Sequence, residues 1–343
     1  MSNVSCKAVR RNATDRNWIC IGISLLTFLL VEASGQSPLD NVHIAPRTEL
    51  MAATEPEGAS SRNMRPVIKK NVDLVLVPVT VTDPMQRLVT GLSEDNFQIF
   101  ENKKRQEIKH FSSEDTPVSL GIIVDTSRSM TGKMDRVREA VKQFCDSANP
   151  QDEFFVITFS DEPLFVHAFT DSPEDIEGNL LFAIPTGRTA LLDAIYLGIG
   201  KMKEAKYSRR ALLVISDGGD NHSRYHEGEL KSAVKEADVV IYAIGIFDRY
   251  AATEEERLGP VLLANIAETS GGRAFFLENL IEMPFLASRI GAELRTQYVL
   301  GYRPENLPHD GKWHKISVKL KLPRDLAFLR ARARTGYYAA GGE

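Results

Sequence analysis

The run Gly121-Ile122-Ile123-Val124-Asp125-Thr126-Ser127-Arg128-Ser129 closes an apolar stretch with oxygen-bearing side chains at alternate positions: Asp125, Ser127 and Ser129. In an open α/β sheet, sites form beyond the carboxyl ends of the strands. Three alternating oxygens in a loop leaving such a strand can converge on one point. An all-oxygen donor set selects a hard cation such as Mg²⁺. Further oxygens must come from other loops. Thr189 stands in Thr186-Gly187-Arg188-Thr189-Ala190-Leu191-Leu192-Asp193, just before a helical pattern, and Asp217 follows the apolar run Leu212-Leu213-Val214-Ile215-Ser216. Ser127 and Ser129 also have a plainer use as helix caps ahead of Lys133, because Ser is a favoured N-cap. Asp220 and Asn221 are turn formers by type. Asp193 either supports the site or caps its helix. His222 and His226 show no metal-ligand spacing such as His-Glu-x-x-His and read as exposed loop residues.

These positions need a scaffold of buried strands joined by helices. Short apolar runs occur at Leu120–Val124, Phe154–Phe159, Ala211–Ile215 and Val239–Ile244. Helical patterns occur at Lys133–Asp146, Ala190–Lys203, Glu227–Ala237, Leu258–Thr269 and Ile281–Arg295. Alternation of the two predicts an α/β fold with a doubly wound, mostly parallel sheet. The flanks read differently. Val75, Val77, Val79 and Val81 alternate as in a strand, with Pro78 in the opposite phase and best placed at a sheet edge. Phe97 and Ile99, then Ile108 and Phe111, flank the polar turn Glu101 to Lys104 and predict a hairpin. Near the other end Ile316, Val318, Leu320 and Leu322 alternate with Lys315, Ser317, Lys319 and Lys321. Ala331 and Ala333 alternate with Arg330, Arg332 and Arg334, an arginine row expected to be a solvated strand face. Neither β-rich flank buries enough apolar surface alone, so the two are expected to form one β domain with the α/β part inserted between them.

The 343-residue chain is ordinary in apolar content (43%) and charge (26%), with a net charge of −4. That mild acidity offers no clustered positive field for nucleic acid. Of the three cysteines, Cys6 and Cys20 lie near the N-terminus, so the body has only Cys145 and no intrachain disulfide. Cys145 follows Phe144 in a helical pattern and is expected in the core. The N-terminus has a basic stretch, an apolar run from Ile19 to Val31, and the small residues Ala33, Ser34 and Gly35. Thirteen residues of helix reach only about 20 Å, short of the roughly 30 Å hydrocarbon core. A cleaved signal peptide over 1–35 is favoured over a permanent anchor, with no span in the mature chain. Residues 36–66 mix Ser, Pro, Asn, Glu, Gly and Ala and read as a flexible linker.

Asp125-x-Ser127-x-Ser129, Thr189 in Gly-x-Thr-Ala-Leu-x-Asp-Ala, and Asp217 in Ser-Asp-Gly together resemble the five-residue metal-ion-dependent adhesion site of von Willebrand factor type A domains. The likeness runs over about 117–297 in order and spacing. The flanks resemble a bacterial VWFA-related family through Val-Pro-Val-Thr-Val-Thr-Asp (77–83), Leu-Ser-Glu-Asp-Asn-Phe (92–97), Gln-Tyr-Val-Leu-Gly-Tyr (297–302) and Gly336-Tyr337-Tyr338. The resemblance implies an A domain over 116–297, between β segments at 67–115 and 298–343. It implies that Asp125, Ser127, Ser129, Thr189 and Asp217 hold one Mg²⁺ or Mn²⁺, with a position open to a Glu or Asp carboxylate of a protein partner. In signalling members such binding can shift the last helix, here about 281–297.

Enzymatic alternatives fit less well. A haloacid-dehalogenase-type phosphohydrolase wants an acid two residues after its nucleophilic Asp, where this chain has Ser127. A serine hydrolase elbow, Gly-x-Ser-x-Gly, is missing from the sequence. The expectation is an exported binding protein, periplasmic, cell-surface or secreted, and not an enzyme. The alternative is a structural envelope protein whose metal only stabilises the domain. Export makes a direct prediction: protein purified from its native host should begin near Ser34 or Gln36 by N-terminal sequencing. Soluble cytosolic protein still starting at Met1 would count against it.

Overall fold

The computed structural model describes residues 74–217, 219–246, 254–304, 310–323 and 326–339. The signal peptide and linker expected over 1–66 lie outside these residues. In chain order the strands and helices are β1 (Val75–Thr82), β2 (Phe97–Glu101), β3 (Lys104–Gln106), β4 (Ile108–Ser112), β5 (Ser119–Asp125), α1 (Met134–Asp146), β6 (Glu153–Phe159), β7 (Pro163–Thr170), α2 (Pro173–Leu181), α3 (Leu191–Lys201), β8 (Arg210–Ser216), α4 (Glu227–Glu236), β9 (Val240–Ile246), α5 (Glu254–Ser270), β10 (Arg273–Leu277), α6 (Met283–Arg295), β11 (Tyr298–Tyr302), β12 (Trp313–Leu320), β13 (Arg330–Ala333) and β14 (Gly336–Tyr338). None of the described helices is long and apolar enough to cross a membrane.

The central sheet has the order β10-β9-β8-β5-β6-β7. Its pairs are parallel except β6 with the edge strand β7. Every residue of β5 is buried, because helices cover both faces. Alternate residues serve opposite layers. Leu120, Ile122 and Val124 pack with Val137 and Phe144 of α1 and Ile290 of α6. Ile123 packs with Ile195 of α3, Leu230 of α4 and Ile266 of α5. At Gly121 a Cβ would lie 2.4 Å from the Phe155 ring and 2.5 Å from Leu212, so this crossing of β5 with its neighbours needs glycine. Cys145 is buried as expected, and burial pushes its thiol up to about 12, which makes it an inert core group.

The flanking strands form two antiparallel four-stranded sheets, β13-β1-β11-β4 and β14-β12-β2-β3. Each sheet draws strands from both ends of the described chain. Their shared core holds Val77, Val79, Val81, Phe97, Ile99, Tyr298, Leu300, Tyr302 and Ile316. The sequence expectation needs three corrections here. The hairpin partner of β2 is the short β3, through a turn whose Asn102 and Lys103 both have positive φ (47° and 70°), the twist that two-residue hairpins favour. Ile108 and Phe111 belong instead to β4, which pairs with β11 in the other sheet. Pro78 is in an interior strand, but pairing of β1 with β13 starts only at Val79, so Pro78 is flanked by β11 alone.

The arginine row is the third correction. Arg330 is exposed as expected. Arg332 instead meets Glu293 of α6 at 3.2 Å, and Arg334 meets Asp238 at 2.6 Å and donates to the Leu76 carbonyl at 2.6 Å. The Glu293 side chain is 2% exposed and also accepts from the Tyr242 hydroxyl at 3.0 Å. Burial, and then the Glu293 charge, hold the Tyr242 hydroxyl well above its ordinary pKa, so it remains a donor. Gln297 completes the junction by donating to the Tyr242 oxygen at 3.2 Å. Arg332→Ala leaves a buried carboxylate with fewer partners and should cost about 3 kcal/mol, the low end for a broken buried pair because Tyr242 remains. Urea denaturation checks this, and adding Glu293→Gln to Arg332→Ala should recover part of the loss.

Candidate metal centre

Asp125 is the last residue of β5 and is 0% exposed. Its Oδ1 accepts from the Ser127 N–H at 2.8 Å, and its Oδ2 accepts from the hydroxyl of Ser216, at the end of β8, at 2.6 Å. The Thr126 N–H and hydroxyl both donate to the Phe159 carbonyl, at 2.7 and 2.9 Å, which ties the departing loop to β6. A short 3₁₀ turn, Arg128–Met130, follows, anchored by the fully buried Met130. This turn brings the Ser127 and Ser129 hydroxyls to 2.9 Å from each other. The helix-cap reading of these serines fails. The residue capping α1 is Lys133, with no side-chain cap bond, and Ser127 makes none either.

The second loop is stitched onto the first. Thr186 N–H donates to the Thr126 carbonyl at 2.9 Å, and Arg128 N–H donates to the Gly187 carbonyl at 3.2 Å. Gly187 has φ +72°, and a Cβ there would strike the Asp161 carboxylate, so the turn needs glycine. Thr189 is 5% exposed. Its hydrogen bonds run through its backbone: its N–H donates to Asn221 Oδ1 at 3.0 Å, and its carbonyl accepts from Asn221 and His222 N–H groups at 3.0 and 3.1 Å. The loop holding Thr189 is thereby fixed to the loop after β8.

Asp217 follows β8, its side chain 10% exposed, and accepts from Lys133 Nζ at 2.9 Å. The geometry thus pairs the two serine hydroxyls directly, couples Asp125 electrostatically to Asp217, and brings Thr189 in through its loop. Burial, and then the negative charge of Asp217, push Asp125 up to about 6, against the hydrogen bonds from Ser127 and Ser216. The site therefore carries more negative charge than its surroundings neutralise, and Lys133 is the cation placed against it.

Several neighbours were misread or overlooked in the sequence. Asp220 is a helix cap, not a turn former: its Oδ1 accepts from Leu191 and Leu192 N–H, at 2.9 and 3.3 Å, and from the Ser223 hydroxyl at 2.6 Å. Asp193 supports the surrounding loop by accepting from Arg224 and Tyr225 N–H groups at 2.9 and 3.0 Å. His226 is exposed and caps α4, whereas His222 is half-buried with Nε2 2.9 Å from Arg188 Nη2. Lys133 and Ser216 were overlooked, although Ser216 adjoins Asp217 in the sequence.

Among the described residues no three His, Cys, Asp or Glu side chains form a metal cluster, so an ion here must rely on hydroxyls. The donor chemistry fits a small hard cation: two carboxylates in mutual repulsion, a hydroxyl pair already in contact, and oxygen throughout. Residues 120–219 match the family model described as von Willebrand factor type A domain. This segment is a von Willebrand factor type A domain.

No curated protein matches the chain. Among solved structures, the chain is similar to von Willebrand factor type A from Catenulispora acidiphila, at 13% identity over 79% of this chain and 74% of that one, with TM-score 0.47. It is similar to the conserved hypothetical protein BatB from Bacteroides thetaiotaomicron, at 18% identity over 51% of this chain and 98% of that one, with TM-score 0.42. A third likeness is to proximal thread matrix protein 1 from the mussel byssus, solved with a zinc-occupied MIDAS motif, at 19% identity over 57% of this chain and 49% of that one, with TM-score 0.44.

The Asp220 cap is testable apart from any metal. Asp220→Ala should lower stability by about 1–2 kcal/mol, read from urea denaturation, by leaving the first turn of α3 without its acceptor. Asp220→Asn, which keeps an acceptor oxygen, should recover most of that.

Proposed function

We propose that this A domain binds one divalent cation, Mg²⁺ or Mn²⁺, through Asp125, Ser127, Ser129, Thr189 and Asp217, and that it uses the ion to bind an acidic residue of a protein partner. The observation that carries the reading is the coupled pair Asp125 and Asp217, placed beside touching serine hydroxyls at the carboxyl edge of the sheet. When bound, the ion supplies a positive centre that a carboxylate oxygen can approach. The protein's part is to hold the donors. Ser216 and the Ser127 N–H orient Asp125, Met130 anchors the serine turn, and Asn221 fixes the backbone of Thr189. Three of the five donors are neutral hydroxyls, which leave part of a divalent charge for the partner.

Binding suits these residues better than catalysis. The two serines bond each other, and His222 turns to Arg188, so among the described residues neither serine is given a histidine base. The basic and apolar leader supports export, which would place the domain among periplasmic, cell-surface or secreted partners.

Isothermal titration with Mn²⁺ tests the metal. Loss of an outer hydrogen-bond partner alone weakens metal sites by about 10–100-fold, so Asp217→Ala should weaken binding by at least that much while keeping the fold. Ser127→Ala should do so less severely. Equal affinity in wild type and Asp217→Ala would remove the site assignment. Partner proteins from the host should be retained in Mg²⁺ and released by chelator. Retention that ignores chelator would leave the ion a purely structural role.

A further inference from the structure

Just ahead of Thr186 the chain exposes three large apolar side chains within four residues. Leu181 is 61% exposed, Phe182 84% and Ile184 77%. Single exposed apolar residues are common and need no explanation. A run of them on a held backbone is different. Arg138 donates from Nε to the Leu180 carbonyl at 3.0 Å, and from Nη2 to the Leu181 and Ala183 carbonyls at 3.4 and 3.3 Å. Ala183 N–H closes onto Leu180 O at 3.3 Å, and Leu180 and Ile176 are buried anchors. The loop is fastened by its backbone and turns its largest side chains outward.

Its position relates it to the metal loops. Ile184 is two residues from Thr186, at most about 7 Å of chain. Thr186 is itself bonded to Thr126, between Asp125 and Ser127. The charges nearby are mixed: Arg128 is an exposed cation between Ser127 and Ser129, whereas Arg188, which adjoins Thr189, is already paired with Asp161 at 3.2 Å.

We propose that Leu181, Phe182 and Ile184 form an apolar shelf that takes a bulky side chain neighbouring the partner's carboxylate, so that the domain selects a protein segment in which Asp or Glu is flanked by Leu, Ile or Phe. This rests on the carboxylate-binding reading above and adds its specificity. The carboxylate goes to the ion, with Arg128 beside it, while the shelf covers the adjacent apolar group.

The test uses arrays of short synthetic peptides with one central Glu, flanked either by Leu and Phe or by Ser, probed with the full chain in Mg²⁺ and in chelator. Burying one large apolar side chain is worth about tenfold in affinity or more, so wild type should retain the apolar-flanked set about tenfold better. A Phe182→Ser, Ile184→Ser double variant should lose that preference while its Mn²⁺ titration and its retention on Ser-flanked peptides stay unchanged. Equal retention of both sets by wild type, with chelator sensitivity intact, overturns the shelf and leaves the carboxylate reading standing. Retention that ignores chelator yet falls in the double variant overturns the carboxylate reading and this proposal with it. Co-sedimentation with phosphatidylglycerol vesicles, or self-association by ultracentrifugation, that disappears in the double variant would assign the shelf to a membrane or to a second copy instead.

Discussion

A carboxylate with no exposed surface stands at the end of the central strand, and a second stands at the end of its neighbour. Asp125 and Asp217 repel each other, and burial deprives Asp125 of the water that would ordinarily stabilise its charge. Much of the nearby backbone arrangement offsets that cost. Two donors turn toward Asp125, an ammonium turns toward Asp217, and three loops are tied together around them. The parallel sheet makes this possible. With both faces covered by helices, the strand ends are where polar groups can gather without breaking a core.

The same sheet is held at its other side by an ionic junction. Glu293 and Gln297 lie at the C-terminal end of α6 and just beyond it, and they meet Tyr242 of β9 and Arg332 of β13. Arg295 pairs with Asp152 and Asp115, and Arg209 donates to the Leu294 carbonyl. The end of α6 is thus bonded both to the parallel sheet and to the antiparallel strands. A buried ion pair is weak evidence for net stability, since desolvation can exceed the attraction. Its clearer effect is on geometry: any displacement of α6 along its axis must first break these bonds. In this chain α6 is held at its C-terminal end by β9 and by the antiparallel strand β13.

The sequence was most legible where one residue's environment is set by its immediate neighbours. β5, β6, β8 and β9 are continuous apolar runs because they are buried on both faces. β7 was missed because an antiparallel edge strand is only half covered, and its residues are a mixture of half-buried and exposed. The nine-residue α2 was missed although Ser172 caps it and Pro173 opens it, a start signal that the short apolar pattern behind it obscured. At the site, types and spacing marked out the five candidate donors as strand-end and helix-start positions, and the structure places their loops in contact. The errors arose where a charged side chain has a distant partner. Alternation correctly gave Arg332 and Arg334 a common face, but no local pattern shows that Glu293 and Asp238 wait there. Asp220 has turn-forming chemistry, yet it caps a helix that begins 29 residues before it.

Lys133 shows how the charge balance bears on function. Its ammonium lies 2.9 Å from Asp217 and is about one-quarter exposed, so it neutralises one carboxylate oxygen without filling the site. That single positive charge at one edge leaves Asp125 with its pKa raised by burial and then by the charge of Asp217, against the hydrogen bonds of its neutral donors. A divalent ion placed among both carboxylates and the hydroxyls would relieve both groups at once, and would do so in competition with Lys133. Affinity for such an ion would depend on the difference between two ways of neutralising Asp217, not on the donor count alone. The surplus charge that a hydroxyl-rich site leaves on the ion is what a partner's carboxylate would meet. Under the proposed function the cation and an acidic visitor would each supply charge that the other needs.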